Sequence, residues 1–266
     1  MVELKSAWKE FEIQSTDYLN KKFGKYATFI HMGGSNSRKS DIKAEKNGEE
    51  KFYVDAKHCP AQCGQFVLFG DEDSKKFIYS PKNVNPINEY AEMIIEHMNR
   101  KFDYFNSART AGKSIEMENG SYIFSQWIIE NYKKKNTRYF ITNGFTILPV
   151  EKFSEYFDVT AKYRIKKSGP SPVGKSKSPK VLSYIEKNFE ITSSRHDGKK
   201  LFVSSDTELH KTFFTLDDDK YMFSKRGNEY EIRNLSNTYN KNVIFSITLK
   251  DKKDGMSDSE FISALM

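Results

Sequence analysis

Residues 40–58 read SDIKAEKNGEEKFYVDAKH. Two strand-like runs flank Asn47-Gly48, a dipeptide that tolerates the positive φ angles of a two-residue type I′ hairpin turn. In the second run, period-two alternation sends Phe52, Val54 and Ala56 to one face and Tyr53, Asp55 and Lys57 to the other. The first face is apolar and suits packing on a helix. The second carries a carboxylate and an ammonium, and burying either without a partner is costly. The antiparallel return of the hairpin brings Asp41 toward the same end of the sheet as Asp55. Two acids and a lysine at one sheet edge suit Mg²⁺, a hard cation that takes oxygen ligands and is held by one or two carboxylates. The cation would offset the repulsion between the acids. The lysine would hold or activate a water, or stabilise developing negative charge.

Upstream, SAWKEFEIQSTDYLNKKFG (6–24) spaces Trp8, Phe11, Ile13, Thr16, Leu19 and Phe23 as a helix, with Ser6 as cap and Gly24 as stop. Glu12 lies on that helix. YATFIHM (26–32) reads as a strand, followed by the loop GGSNSRKS (33–40). Downstream, 85–105 reads as one long helix with Ile87, Tyr90, Ile94, Met98 and Phe102 on one face. Residues 121–135 read as a second helix, and 137–150 as two strands around a tight Asn143-Gly144 turn. A short helix (151–157) and a strand (158–169) running into a basic loop follow. SGPSPVGKSKSPK (168–180) is the candidate boundary, after which Ser178 caps a helix with Pro179 in its first turn. Strands then run to Lys250, and the polar tail beyond is expected to fray.

With 37% apolar and 30% charged residues, the 266-residue chain reads as globular and soluble. It has no apolar run of the ~20 residues a membrane helix needs. The N-terminus lacks the pattern of a signal peptide, and the expected compartment is the cytoplasm. Cys59 and Cys63 are the only cysteines; they are expected to be reduced thiols, since a zinc site would need further ligands. The net charge of +7 arises despite 36 acids, so the excess is a patch. Basic residues gather at 132–138, 162–169 and 174–180, as a polyanion partner requires. ARTAGKS (108–114) imitates a phosphate loop, but Ser107 stands where its first glycine belongs, and a plain loop is expected.

Asp41, Asp55 and Lys57, separated by a hairpin and preceded by a helix with Glu12, resemble the PD-(D/E)xK nucleases. Longer runs narrow this: WKEFE and YLN (8–20), SDI (40–42), FYVDAK (52–57), QCGQFVL (62–68), YSPKN (79–83), INEY (87–90), YFIT (139–142), YRIKKSG (163–169) and LSNTYNKNVIFSITLK (235–250). Along nearly its whole length the chain is similar to the HhaI-like type II restriction endonucleases. That resemblance implies a mixed α/β fold: a PD-(D/E)xK core with a central mixed β-sheet flanked by helices, and further mixed-sheet DNA-binding regions. It implies a catalytic region at 1–105, a recognition region at 106–170 and an additional DNA-binding region at 171–266. It also implies a monomer that cleaves double-stranded DNA at GCGC, and a partner methyltransferase acting on the same site. By motif, Asp41, Asp55 and the Ala56 carbonyl would bind Mg²⁺ and Lys57 would be the catalytic lysine. Gln65 would support the site or pack beside it. Arg164, Lys166, Lys167 and Ser168, together with Lys82 and Asn83, are the expected DNA contacts. One departure is visible: Asp55-Ala56-Lys57 replaces the family's Glu-Ala-Lys, after a slightly shorter hairpin. A structure-specific repair nuclease and an inactive basic DNA-binding protein are the alternative readings.

Overall fold

The computed structural model describes residues 7–33, 39–251 and 254–266; the expected Ser6 cap and the loop at 34–38 lie outside the described residues. The chain divides into two compact units, Met1–Ile165 with Lys241–Met266, and Lys166–Asn240. The first opens with α1 (Ala7–Phe23), β1 (Thr28–His31), β2 (Ile42–Lys46), β3 (Glu49–Lys57), β4 (Ala61–Asp71) and β5 (Lys76–Tyr79). It continues through α2 (Glu89–Asn99), α3 (Phe102–Asn106), β6 (Lys113–Ser114), α4 (Gly120–Lys133), β7 (Thr137–Thr142), β8 (Thr146–Pro149), α5 (Phe153–Tyr156) and β9 (Phe157–Lys167). The second unit holds β10 (Ser171–Pro172), α6 (Ser178–Asn188), β11 (Ser193–Asp197), β12 (Lys200–Ser204), β13 (Phe213–Leu216), β14 (Asp219–Arg226) and β15 (Glu229–Leu235). The chain then returns to the first unit as β16 (Tyr239–Leu249) and α7 (Asp258–Leu265).

The sheet that carries the opening hairpin runs β1-β2-β3-β7-β8. β3 pairs parallel with β7, whereas the other neighbours are antiparallel. The hairpin turn forms as its sequence dictates: Asn47 and Gly48 sit at φ 54° and 83°, with Lys46 opposite Glu49. Phe52, Val54 and Ala56 join Phe11, Leu19 and Phe23 of α1 in one core. On the opposite face, Phe140 and Leu148 belong to a larger core shared with α2–α5 and the sheet β5-β4-β16-β9-β6. The second unit has its own sheet, β11-β12-β15-β14-β13, with β10 against β15, and its own core around Val181, Ile185, Phe223 and Ile232.

Several expectations need correction. From residue 254 onward the tail does not fray. Ser257 and Glu260 form a reciprocal capping box that starts α7, and Phe261 and Leu265 are fully buried in the α1 core. The Phe261 ring sits 4.9 Å from Phe23 and 5.1 Å from Tyr139. Phe261→Ala is therefore expected to destabilise the protein by about 3–5 kcal/mol, readable in a denaturant titration. The long helix at 85–105 is two helices. Asn88 caps α2 by accepting the Ala91 N–H at 2.9 Å, which leaves Ile87 outside and exposed, and Lys101 at φ −126° separates α2 from α3. Ser178 is not a cap but the first helical residue, its hydroxyl donating to the Gly174 carbonyl at 2.8 Å. The Asn143-Gly144 turn is a three-residue 3₁₀ turn ending at Phe145, whose ring stacks on Tyr18 at 4.7 Å. Lys113 and Ser114 of the false phosphate loop pair with β9 as β6. The two units also differ from a division at 105 and 170. β16 lies between β4 and β9, so the last strand belongs to the first unit.

Candidate active site

Asp55 and Lys57 lie near the end of β3, on the face opposite Phe52, Val54 and Ala56. Lys57 Nζ is 2.5 Å from Asp55 Oδ2, and the two side chains are 16% and 6% exposed. Asp41 immediately precedes β2, and its Oδ2 accepts the Ala56 N–H at 3.0 Å. The hairpin thus ties the first acid to the residue between Asp55 and Lys57. Ser40 is held by a 2.8 Å hydroxyl contact with Thr137 at the start of β7. The apolar alternation of β3 and the tight turn are what bring these side chains together.

The charges are mutually perturbing. Burial, then the charge of Asp55, pushes the Asp41 carboxyl up to about 8, against the opposing pull of Lys57. Burial works against the Lys57 ammonium, but Asp55 and Asp41 more than offset it and raise its pKa above lysine's ordinary value. Lys57 is consequently charged at neutral pH and can act as a hydrogen-bond donor. Glu12 adds to the repulsion on Asp41; it is buried and bonds His31 Nε2 at 3.1 Å, so the first-helix acid does stand at this site.

Two further residues, which no sequence motif marks, complete the surroundings. Tyr132, at the end of α4, donates its hydroxyl to Asp55 Oδ2 at 3.0 Å, and burial holds that phenol protonated, far above its ordinary range. Lys135 lies just beyond, its ammonium 5.3 Å from the Tyr132 ring centroid. In the sequence both are simply part of a basic run. Their place beside Asp55 depends on the parallel β3–β7 pairing, which local sequence does not encode. Cys63 approaches the Tyr132 hydroxyl at 3.8 Å, and burial pushes its thiol up to about 12; Cys59 and Cys63 are buried free thiols.

The remaining candidates are placed elsewhere. Gln65 lies on β4, in the other sheet of the unit, and its side-chain oxygen accepts from Gln62 and Asn242, both at 3.3 Å. It makes no hydrogen bond to Asp41, Asp55 or Lys57. Asn83 is taken up inside the chain, bonding the Val67 N–H at 2.7 Å and the Val67 and Ser80 carbonyls at 2.9 and 3.0 Å; neighbouring Lys82 is exposed. Arg164 is half-buried, with an Nε that has no hydrogen-bond partner among the described residues. Lys166 and Lys167 project from the end of β9 and are exposed, and the Ser168 hydroxyl lies 2.9 Å from that of Thr238. The third basic cluster is partly neutralised: Lys177 pairs with Asp219 and Lys180 with Asp217.

The donor set at the site fits a divalent cation. Among the described residues there is no cluster of three or more metal-ligating His, Cys, Asp or Glu, but Mg²⁺ is commonly held by one or two carboxylates with waters filling its remaining positions. Burial first, and the charge of Asp55 second, raise the Asp41 carboxyl, and a cation between the two acids offsets both effects.

Comparison with solved structures finds HhaI endonuclease in complex with DNA, 37% identical, with a TM-score of 0.79 over 98% of this chain and 99% of that one. The chain belongs to the HhaI endonuclease family. No protein-family model matches the sequence, and no curated protein does. Within the HhaI family fold, the match extends through both compact units, including the Lys166–Asn240 segment. The mixed α/β architecture expected from the sequence is the one observed. No helix among the described residues is long and apolar enough to cross a membrane.

Proposed function

We propose that the chain is a type II restriction endonuclease that hydrolyses double-stranded DNA at GCGC with Mg²⁺ as cofactor, leaving 5′-phosphates. In this reading it acts as a monomer in the cytoplasm, beside a methyltransferase that protects the same sequence. The first unit carries catalysis and recognition, and Lys166–Asn240 adds DNA-binding surface. The observation that carries the reading is the convergence of Asp41, Asp55 and Lys57 at one hairpin end, in a chain 37% identical to HhaI endonuclease.

Asp41 and Asp55, with the Ala56 carbonyl, would hold the cation, which supplies Lewis-acid polarisation of the phosphate and a lowered pKa for bound water. The Ala56 N–H orients Asp41 and the Tyr132 hydroxyl orients Asp55. The Lys57 ammonium, charged at neutral pH, donates to the attacking water and to a phosphoryl oxygen as negative charge builds. Water adds in line to phosphorus and gives up a proton to solvent, the bond to the 3′ oxygen breaks, and that oxygen takes a proton from solvent and leaves as the 3′ hydroxyl.

Run-off sequencing of digested DNA tests the reading. Discrete fragments ending within GCGC are expected; a smear, or nicking that follows DNA structure, would overturn it. Because outer partners orient metal-binding acids, Tyr132→Phe is expected to raise the Mg²⁺ concentration for half-maximal cutting by roughly 10-fold or more, with the unfolding midpoint little changed. Lys166 and Lys167 have no ion pair among the described residues. Replacing both by Ala should reduce the log–log salt slope of DNA binding by about 0.9 for each phosphate that these lysines neutralise. An unchanged slope would remove β9's end from the DNA surface.

A further inference from the structure

The Tyr132 ring carries two cations. Lys57 Nζ lies 5.9 Å from its centroid and Lys135 Nζ lies 5.3 Å away, while the same residue's hydroxyl donates to Asp55. Only Lys57 has a carboxylate partner; among the described residues, the Lys135 ammonium makes neither an ion pair nor a hydrogen bond. Burial is the largest influence on it and, with Lys57, lowers its pKa below lysine's ordinary value, against the opposing pull of Asp55 and Asp41.

The segment that carries Lys135 is fixed to the catalytic strand. Its N–H donates to the Tyr132 carbonyl at 3.0 Å, and the Asn136 N–H donates to the Lys133 carbonyl at 2.9 Å. Asn136 turns the chain at φ 56°, and its carbonyl accepts the Tyr53 N–H of β3 at 2.9 Å. The Asn136 side chain adds bonds to Glu50 and the Lys51 carbonyl, both at 3.3 Å. An ammonium is thus held half-buried, beside a pair of acids but bonded to neither. A charge taken partly out of water without a partner is unfavourable, and a polyanionic substrate that enters beside the acids supplies the missing counter-charge.

We propose that Lys135 holds a non-bridging oxygen of the scissile phosphate, as a second cationic side chain of the cleavage site alongside Lys57. The proposal rests on the nuclease reading and adds a phosphate-binding residue to it. The local order follows from the chain: α4 ends at Lys133, and the next residues must cross to β7 beside β3, which leaves Lys135 in the turn between them.

The test uses the full chain, with Ca²⁺ in place of Mg²⁺ for binding and Mg²⁺ for single-turnover cutting. Lys135→Ala is expected to slow single-turnover cutting by about 100-fold, to leave the unfolding midpoint unchanged, and Lys135→Arg is expected to recover part of the rate. In calcium, replacing the scissile phosphate by a neutral methylphosphonate should weaken binding by wild type more than by Lys135→Ala, with a coupling of about tenfold. Equal weakening in the two proteins places Lys135 on another phosphate and overturns the proposal. So does wild-type cutting by Lys135→Ala, or a slower rate explained by a lowered midpoint and not recovered by Arg. A wild-type protein that fails to cut DNA refutes the nuclease reading and this proposal with it, whereas a wild type that cuts but shows equal weakening refutes the assignment of Lys135 alone.

Discussion

Lys57→Ala is expected to lower the single-turnover rate of DNA cutting at least about 1000-fold while affinity for the target duplex in Ca²⁺ stays near that of wild type. The ammonium is the donor nearest the acids, 2.5 Å from Asp55, and Asp55 and Asp41 raise its pKa against the effect of burial, so it is charged at neutral pH. Removing it takes away stabilisation that grows as negative charge builds on the phosphate, which is why the effect falls on rate rather than on binding. The same change takes away the ammonium bonded to Asp55 and leaves only the unbonded Lys135 ammonium near the two acids. Breaking a buried pair from one side costs about 3–5 kcal/mol, so Lys57→Ala should also unfold at lower temperature in EDTA and regain part of the difference in Ca²⁺. Near wild-type cutting by this variant would remove Lys57 from the mechanism.

Asp41→Asn separates function from stability in the opposite sense. Cutting should fall by about 1000-fold or more, because one of the two carboxylates for the cation is gone. In EDTA at pH 8, however, the variant should be more stable than wild type, by on the order of 1–2 kcal/mol. The Asn side-chain oxygen still accepts the Ala56 N–H, but the repulsion from Asp55 and Glu12 disappears. The pH dependence follows from the raised carboxyl. An unfolded carboxylate titrates near about 4, whereas folded Asp41 titrates at about 8. Between these values the native state binds the extra proton, so the stability of the metal-free wild type falls as pH rises through that window. Below it the group contributes no slope. Asp41→Asn should flatten this part of the curve, and thermal melts across pH 4–9 read it directly. A variant less stable than wild type at pH 8 in EDTA would contradict the assigned repulsion.

The part of this site that local sequence encodes was legible. Asn47-Gly48 dictates a two-residue turn, and the alternation from Phe52 to Lys57 dictates which side chains meet the core. Together they place Asp41 beside Asp55 before any tertiary contact is known. Tyr132 and Lys135 were not legible, because they reach Asp55 through a parallel pairing of β3 with β7 across a long crossover. A run of three lysines after an aromatic reads the same whether it faces solvent or an acid. The α7 helix was readable in principle: Ser257 and Glu260 have the spacing of a capping box ahead of Phe261 and Leu265. Eight residues give too little periodicity to stand out from a polar tail. Asn83 shows the converse limit, since matching residues alone do not distinguish a DNA contact from an amide that ties the turn after β5 to Val67 of β4.

The most direct measurement is the anomalous scattering of Mn²⁺ in crystals of the protein bound to a GCGC duplex. The account predicts a peak between Asp41 and Asp55, within about 2.2 Å of an oxygen from each, adjoining the phosphate that is cut. A well-ordered complex whose manganese sits away from both carboxylates, or that shows the phosphate approaching a different part of the chain, would contradict it.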